Sequence, residues 1–250
     1  MKPLPDAQPL TEHSTQSATW PMLAWFTVAL MGFAAPIAAM FLLADTLAPA
    51  PSPSVVGSIL AVSLMGAGII AAAASGRFGV GLALARLAGA GLILLAQMLG
   101  MPALPHPLGA GLAVSIASLS FAARGALFAR SAGGRGWWIA VFVVAGEAAI
   151  LLTALARPGE LPQWLLVLLP AQWTSTAVQV ALFGTGSRVA SAALIALAGT
   201  AAATLLVARL WPRRWPYLIM FTTWLALSAL VWHWPAPPVP HTDIVVSVEV

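Results

Sequence analysis

The chain of 250 residues contains no cysteine, only four histidines and few charged side chains, which make up 7% of its residues. The absence of cysteine excludes disulfides, iron–sulfur ligation and thiolate chemistry within this chain. Because the four histidines are scattered, we do not expect the protein to hold a metal ion by its own ligands. Eleven Lys and Arg residues against seven Asp and Glu residues give a net charge of +4. The basic residues are spread singly along the chain, so we expect no nucleic-acid partner.

The residues that are present are mostly apolar: 60% are hydrophobic, and the mean hydropathy is +0.94. This composition excludes a soluble globular protein. The hydrocarbon core of a bilayer is about 30 Å thick, and a helix crosses it with about 20 mostly apolar residues. Eight stretches are suited to this, namely residues 20–43, 55–74, 78–100, 108–130, 137–156, 161–184, 189–208 and 216–234. The sequence therefore predicts an all-α fold, a polytopic bundle of about eight transmembrane helices surrounded by membrane lipid.

Three regions follow from this division of the chain. Residues 1–19 are polar and lack the basic start and short apolar run of a cleavable signal peptide, so we expect the first helix to be retained. Residues 20–234 form the predicted transmembrane helical domain, and residues 235–250 form a Pro-rich C-terminal tail. Short connections with Pro or Gly separate the helices, which predicts that sequence neighbours pack antiparallel. The similar tetrapeptides LAGA and LAGT, 110 residues apart, raise the alternative of two four-helix halves.

Glu147 lies near the middle of the fifth predicted helix, where an exposed carboxylate is costly in hydrocarbon. Its carboxyl group must therefore be protonated, paired or hydrated. One interpretation is a contact with a proton or a quinone headgroup, and the other is a carboxyl group satisfied by Ser, Thr or Gln on a neighbouring helix. Arg86 lies at a similar depth in the third predicted helix. Either it forms an ion pair with Glu147, or its side chain snorkels to the interface.

The other polar residues of the predicted helices have structural explanations. Arg77 and Arg124 lie nearer to helix ends and are interpreted as interface anchors. Three glutamines in apolar surroundings predict hydrogen bonds across helices or to the carbonyl of a bound headgroup, namely Gln97, Gln172 and Gln179. No acid pair or Ser-His-Asp set is present in the sequence. Catalysis by this chain alone is therefore not expected.

Three short segments carry a family resemblance. Residues 20–27 read WPMLAWFT, residues 76–86 read GRFGVGLALAR, and residues 161–176 read LPQWLLVLLPAQWTST. In that order they resemble three parts of the membrane-anchor subunit of dimethyl sulfoxide reductases. These parts are the opening of the first helix, the Leu-Gly-Arg-Pro type of segment after the second helix, and the Pro-x-Trp, Pro and Thr spacing at the sixth. At the third helix, residues 95–97 read LAQ where that family has Ser-Arg-Glu.

The resemblance implies an integral membrane-anchor subunit of a multisubunit molybdopterin-type oxidoreductase in the cell inner membrane. A catalytic molybdopterin subunit and an iron–sulfur subunit are then the expected partners. The expected electron donor is menaquinol or ubiquinol, with no cofactor bound covalently or through metal ligands. The residues expected to bind the quinone headgroup or handle its proton are Arg77, Arg86, Gln97 and Glu147. A carboxylate or guanidinium beside a quinol oxygen can accept or steer its proton, since separating charge in a low dielectric is costly.

Two other classes of protein stay open at this point. A small transporter or permease would move two halves of the chain around a site at the membrane midplane that includes Glu147. Pro170, inside the sixth predicted helix, favours the discontinuous helix that such a site uses. A non-catalytic membrane assembly protein would need no ligand at all, because fold does not determine function.

Overall fold

The computed structural model describes residues 19–46, 53–101, 104–183, 187–211 and 215–234. Every regular element in these ranges is a helix, so the predicted all-α fold is confirmed. In chain order the helices are α1 (Thr19–Ala29), α2 (Ala35–Thr46), α3 (Pro53–Met65), α4 (Ala71–Ser75), α5 (Phe78–Met98), α6 (Pro107–Ala132), α7 (Gly136–Ala156), α8 (Gln163–Val167), α9 (Pro170–Phe183), α10 (Ser187–Leu210) and α11 (Trp215–His233). The predicted polar segment 1–19, apart from Thr19, and the tail 235–250 lie outside the described residues.

These helices combine into eight rods that match the eight predicted stretches. A π-helical turn at Leu30–Ala34 joins α1 to α2, and a second one at Gly66–Ile70 joins α3 to α4. Such insertions widen one turn of a helix without ending it. The sixth predicted stretch differs, because it is divided into α8 and α9 by two residues that are not helical, 168–169.

Six stretches of helix in the described part of the chain are long and apolar enough to cross a membrane. The longest, Pro107–Ala156, contains both α6 and α7. A 3-10 turn at Gly133–Arg135 separates these two helices, and α7 packs back against α6. Many large apolar side chains on α1, α5 and α11 face outward, where lipid can solvate them. The chain is therefore a multi-pass membrane protein.

The rod of α3 and α4 forms the centre of the bundle. In its membrane-spanning window, within Ser54–Ser75, 94% of the residues are buried. The helices α1, α2, α5, α6, α7 and α9 pack around it. Small residues allow this close packing: a methyl group at Gly125 of α6 would overlap the carbonyl oxygen of Ile69. Helices in lipid depend on such close approach because no hydrophobic force drives them together.

The two halves of the sequence share one large core, beside a small second cluster of Leu127, Val207 and Ala208. The buried side chains of the large core run from Ala24 to Leu197, and the closest helix pairs, α3 with α9 and α6 with α10, cross from one half to the other. Polar side chains support one of these contacts, since the hydroxyl oxygens of Ser58 and Ser175 lie 3.2 Å apart. Gln179 donates to Ser175 and to the backbone oxygen of Ser54, which confirms the predicted hydrogen bond across helices. A duplicated origin of the halves stays a prediction.

Candidate functional site

Glu147 lies in the middle of α7, and each oxygen of its carboxylate has a partner. Oε1 lies 3.4 Å from Nη1 of Arg124 on α6, so the two side chains form an ion pair. Oε2 accepts a hydrogen bond of 3.2 Å from the backbone N–H of Ala171, at the start of α9. The side chains of Arg124 and Glu147 are only 15% and 13% exposed. The protein thus pairs a carboxylate that would be costly to leave alone within the bilayer.

Arg124 reaches Glu147 because α6 and α7 form a hairpin. Arg124 lies ten residues before Gly134 in the connecting turn, and Glu147 lies thirteen residues after it. With a rise of about 1.5 Å per residue, the two side chains then lie at similar depths. The guanidinium carbon of Arg124 also lies 5.8 Å from the centre of the Phe121 ring, a distance at which an aromatic face attracts a cation.

The start of α9 supplies the third partner of this cluster because the rod of α8 and α9 is broken. Pro170 occupies the first position of α9, where its missing N–H costs no hydrogen bond. The next free N–H, that of Ala171, donates to Glu147. On the other side of the break, the indole N–H of Trp173 donates to the carbonyl oxygen of Val167 at 2.7 Å. The break therefore leaves neither of these backbone groups unpaired in the membrane.

The ion pair lies at the wall of a cavity of about 470 Å³ between α6, α7, α9, α10 and α11. Two hydroxyl groups from α10 also line it, those of Thr200 and Thr204. Each of them donates to a backbone carbonyl of α10, and the hydroxyl oxygen of Thr200 also lies 3.3 Å from that of Ser120 on α6. The other walls are apolar or aromatic and include Phe221 and Trp224, whose ring centres are 5.7 Å apart. Across the described ranges, no group of three or more metal-ligating side chains occurs.

The structure does not bring the four predicted site residues together. Arg77 precedes α5 and is exposed, Arg86 is exposed on α5, and Gln97 is half-buried near the end of α5. None of the three lines the cavity that contains Glu147. Of the two interpretations of Arg86, the ion pair with Glu147 is wrong, because α5 packs against α3, α4 and α6 while the pair of Glu147 is made across the α6–α7 hairpin.

Arg124 is the residue that sequence reasoning missed. It was expected to anchor α6 at the interface, and that expectation is wrong because its side chain is mostly buried against Glu147. A signal for the pair is present in the sequence: the two residues lie at comparable distances from the Gly133–Gly134 turn. Helices joined by a short turn pack antiparallel, so equal distance from the turn predicts contact.

Comparison with known proteins identifies no relative of this chain. No protein-family profile matches the chain, and neither a curated protein nor a solved structure matches it significantly. The family resemblance therefore rests on the three short segments alone, and the site must be interpreted from its own chemistry.

Proposed function

We propose that this chain is the membrane-anchor subunit of a molybdopterin-type oxidoreductase of the inner membrane, and that it binds a quinol headgroup beside Glu147. The observation that carries the proposal is the Arg124–Glu147 pair at the wall of an otherwise mostly apolar cavity of about 470 Å³. The three segments similar to the anchor family support the same function. The proposed site keeps Glu147 from the sequence prediction and takes Arg124 in place of Arg86.

The lining of the cavity fits the headgroup of a quinol. Ligand sites in proteins are mostly apolar clefts of about 300–1,000 Å³ with a few polar groups that fix orientation. Here the rings of Phe221 and Trp224 provide the apolar wall for a flat ring. The carboxylate of Glu147 and the hydroxyl oxygen of Thr204 are acceptors for the two ring hydroxyls.

The residues of this site have distinct roles in the proposed reaction. Oxidation of a quinol to a quinone releases two protons and two electrons. Glu147 accepts one proton from a ring hydroxyl, and the second proton leaves to water. Arg124 and the N–H of Ala171 hold the carboxylate of Glu147 in position beside the headgroup. The electrons pass to the redox centres of a partner, an iron–sulfur subunit beside the catalytic subunit, because this chain has no cysteine to ligate a cluster.

The proposal is tested by binding of short-chain quinols to the full chain in phospholipid nanodiscs, measured by calorimetry. Decylubiquinol and a short-chain menaquinol are the probes. We expect Glu147→Gln to weaken binding about tenfold, because a hydrogen bond to a charged acceptor is stronger than one to a neutral amide. Glu160→Gln is the matched control, since Glu160 also pairs with an arginine but is 58% exposed. If the unmodified chain and Glu147→Gln bind both quinols with equal affinity, the quinol headgroup does not bind beside Glu147.

The partners are tested separately by gentle extraction from the native membrane and identification of the copurified subunits. A molybdopterin protein and an iron–sulfur protein are expected in the same complex. Their consistent absence would contradict the anchor function while leaving quinol binding to be judged by calorimetry.

The broken rod of α8 and α9 favours a second candidate, a proton-coupled transporter. Discontinuous helices whose N-terminal ends face a charged group form the substrate sites of many transporters, and here the start of α9 faces Glu147. This candidate predicts that the purified chain in sealed vesicles takes up a solute along a proton gradient, and that Glu147→Gln abolishes the uptake. Quinol binding without any such uptake would favour the anchor.

A further inference from the structure

A second cavity, of about 490 Å³, lies beside the same α8–α9 break, between α8, α9, α10 and the end of α11. Two features place it at the membrane–water interface. The loop just before α8 carries the Arg157–Glu160 ion pair, whose side chains are 68% and 58% exposed. The end of α11 contributes the partly exposed indoles of Trp232 and Trp234 to the cavity, and tryptophan is enriched at the level of lipid headgroups.

Apart from the indoles of three tryptophans, the polar side chains that line this cavity are those of Gln163, Gln172 and Thr176, and no described residue of the lining is charged. None of these three side chains has a hydrogen-bond partner within the described residues. Thr176 differs in this from Thr174, whose hydroxyl donates to the carbonyl of its own helix one turn earlier at 3.0 Å. Gln172 and Thr176 are four residues apart on α9, so they share one face of that helix.

These groups select for a ligand that both donates and accepts hydrogen bonds. Each glutamine offers an N–H₂ donor and a carbonyl acceptor, and the threonine hydroxyl does both. Among the described residues of the lining an anion would find no cation, and a quinone, which only accepts, would leave the amide oxygens unmatched. A ring that carries hydroxyl groups matches both the donors and the acceptors. Its apolar C–H face can also pack on an indole.

We propose that this interfacial cavity binds a sugar, with Gln172 and Thr176 as the residues that hydrogen-bond its hydroxyl groups. The sugar is either the headgroup of a neutral glycolipid or a free sugar from water. The position of the cavity at headgroup level is compatible with both sources. The site is separate from the quinol site, because the two sets of lining residues do not overlap.

The test is retention of lipids by the full chain in nanodiscs, read by native mass spectrometry. Monoglucosyl and monogalactosyl diacylglycerol are compared with diacylglycerol of the same acyl chains. We expect at least one glycolipid to be retained about tenfold more than diacylglycerol, since a site built for hydroxyl groups discriminates against an analogue that lacks them. Calorimetry with methyl glucoside and methyl galactoside identifies the source: binding of these soluble sugars points to a free sugar, and their failure beside glycolipid retention points to a lipid headgroup.

Two variants keep the proposal falsifiable if one of them fails to fold. Gln172→Leu and Thr176→Val are each expected to reduce sugar or glycolipid binding about tenfold, with unchanged elution in size-exclusion chromatography. Gln97→Leu, which removes a half-buried amide from α5, is the matched control and is expected to bind as the unmodified chain does. The proposal is overturned if neither glycolipid is retained over diacylglycerol and neither soluble sugar binds. It is also overturned if both site variants bind normally.

Discussion

Two Arg–Glu pairs of this chain have nearly the same length and opposite surroundings. The Arg124–Glu147 pair is 3.4 Å long with side chains 15% and 13% exposed, whereas the Arg157–Glu160 pair is 3.2 Å long with side chains 68% and 58% exposed. Attraction between charges grows as the dielectric falls, and so does the cost of leaving either charge unpaired. The comparison teaches that the surroundings of a pair, rather than its length, determine whether the fold depends on it.

The largest effect is expected from Arg124→Leu. This change leaves the carboxylate of Glu147 with the N–H of Ala171 as its remaining partner. Removing one member of a buried pair lowers the free energy of unfolding by about 3–5 kcal/mol. Reversible unfolding of the full chain in mixed micelles measures the loss. A loss below about 1 kcal/mol, the size expected for an exposed pair, would show that the fold depends no more on the Arg124–Glu147 pair than on an exposed one.

The double variant Arg124→Leu with Glu147→Leu separates stability from function. Replacing both members of a buried pair by apolar residues is often neutral or stabilising. We therefore expect the free energy of unfolding to return to within about 2 kcal/mol of the unmodified value, the remaining loss coming from the unpaired N–H of Ala171. Binding of decylubiquinol, measured by calorimetry, is expected to be about tenfold weaker than in the unmodified chain, as for Glu147→Gln. Recovery of binding in the double variant would contradict a role for the pair in the headgroup site.

A smaller effect is expected from Trp173→Phe, which tests the broken rod next to the buried pair. The change removes the indole N–H that donates to the carbonyl oxygen of Val167 at 2.7 Å. Leaving this partly buried carbonyl unpaired is expected to cost about 1 kcal/mol, which the same unfolding measurement resolves. Trp164→Phe serves as the control, because Trp164 of α8 is 58% exposed. If both variants lower the free energy of unfolding equally, the hydrogen bond from Trp173 to Val167 does not stabilise the break between α8 and α9.

The smallest effect is expected from Arg157→Leu in the exposed pair. Exposed ion pairs contribute about 0–1 kcal/mol, and at about 1 M salt the screening length falls to about 3 Å. The variant is therefore expected to unfold within about 1 kcal/mol of the unmodified chain at low salt, with no difference at high salt. If Arg157→Leu lowers the free energy of unfolding as much as Arg124→Leu does, the surroundings of the two pairs do not determine how much each stabilises the fold.

The helix plan was predictable from the sequence because the bilayer imposes it locally. The eight predicted stretches match the eight observed rods, since each needs only enough apolar residues in a row. Pro170 favoured a discontinuous helix in the sixth stretch, and the rod is divided directly before it, because proline lacks the N–H that an uninterrupted helix needs at this position.

The site was predictable only in part. Glu147 stood out because a single carboxylate in a long apolar run has no local explanation. Its partner was missed, because Arg86 and Arg124 are equally plausible cations until the neighbours of α7 are known. The N–H of Ala171 and the indole of Trp173 carried no signal in the sequence, since their roles depend on where the two ends of a broken rod lie.

The amino-acid sequence by itself determined that this chain crosses a membrane many times and that a carboxylate lies within the bilayer. Only the tertiary structure decided which guanidinium pairs with that carboxylate, and which amides are left facing a cavity. The physical reason is the range of the forces involved. Transfer of apolar residues into lipid adds up along a single helix, whereas ion pairs and hydrogen bonds act over a few ångströms between side chains far apart in the chain.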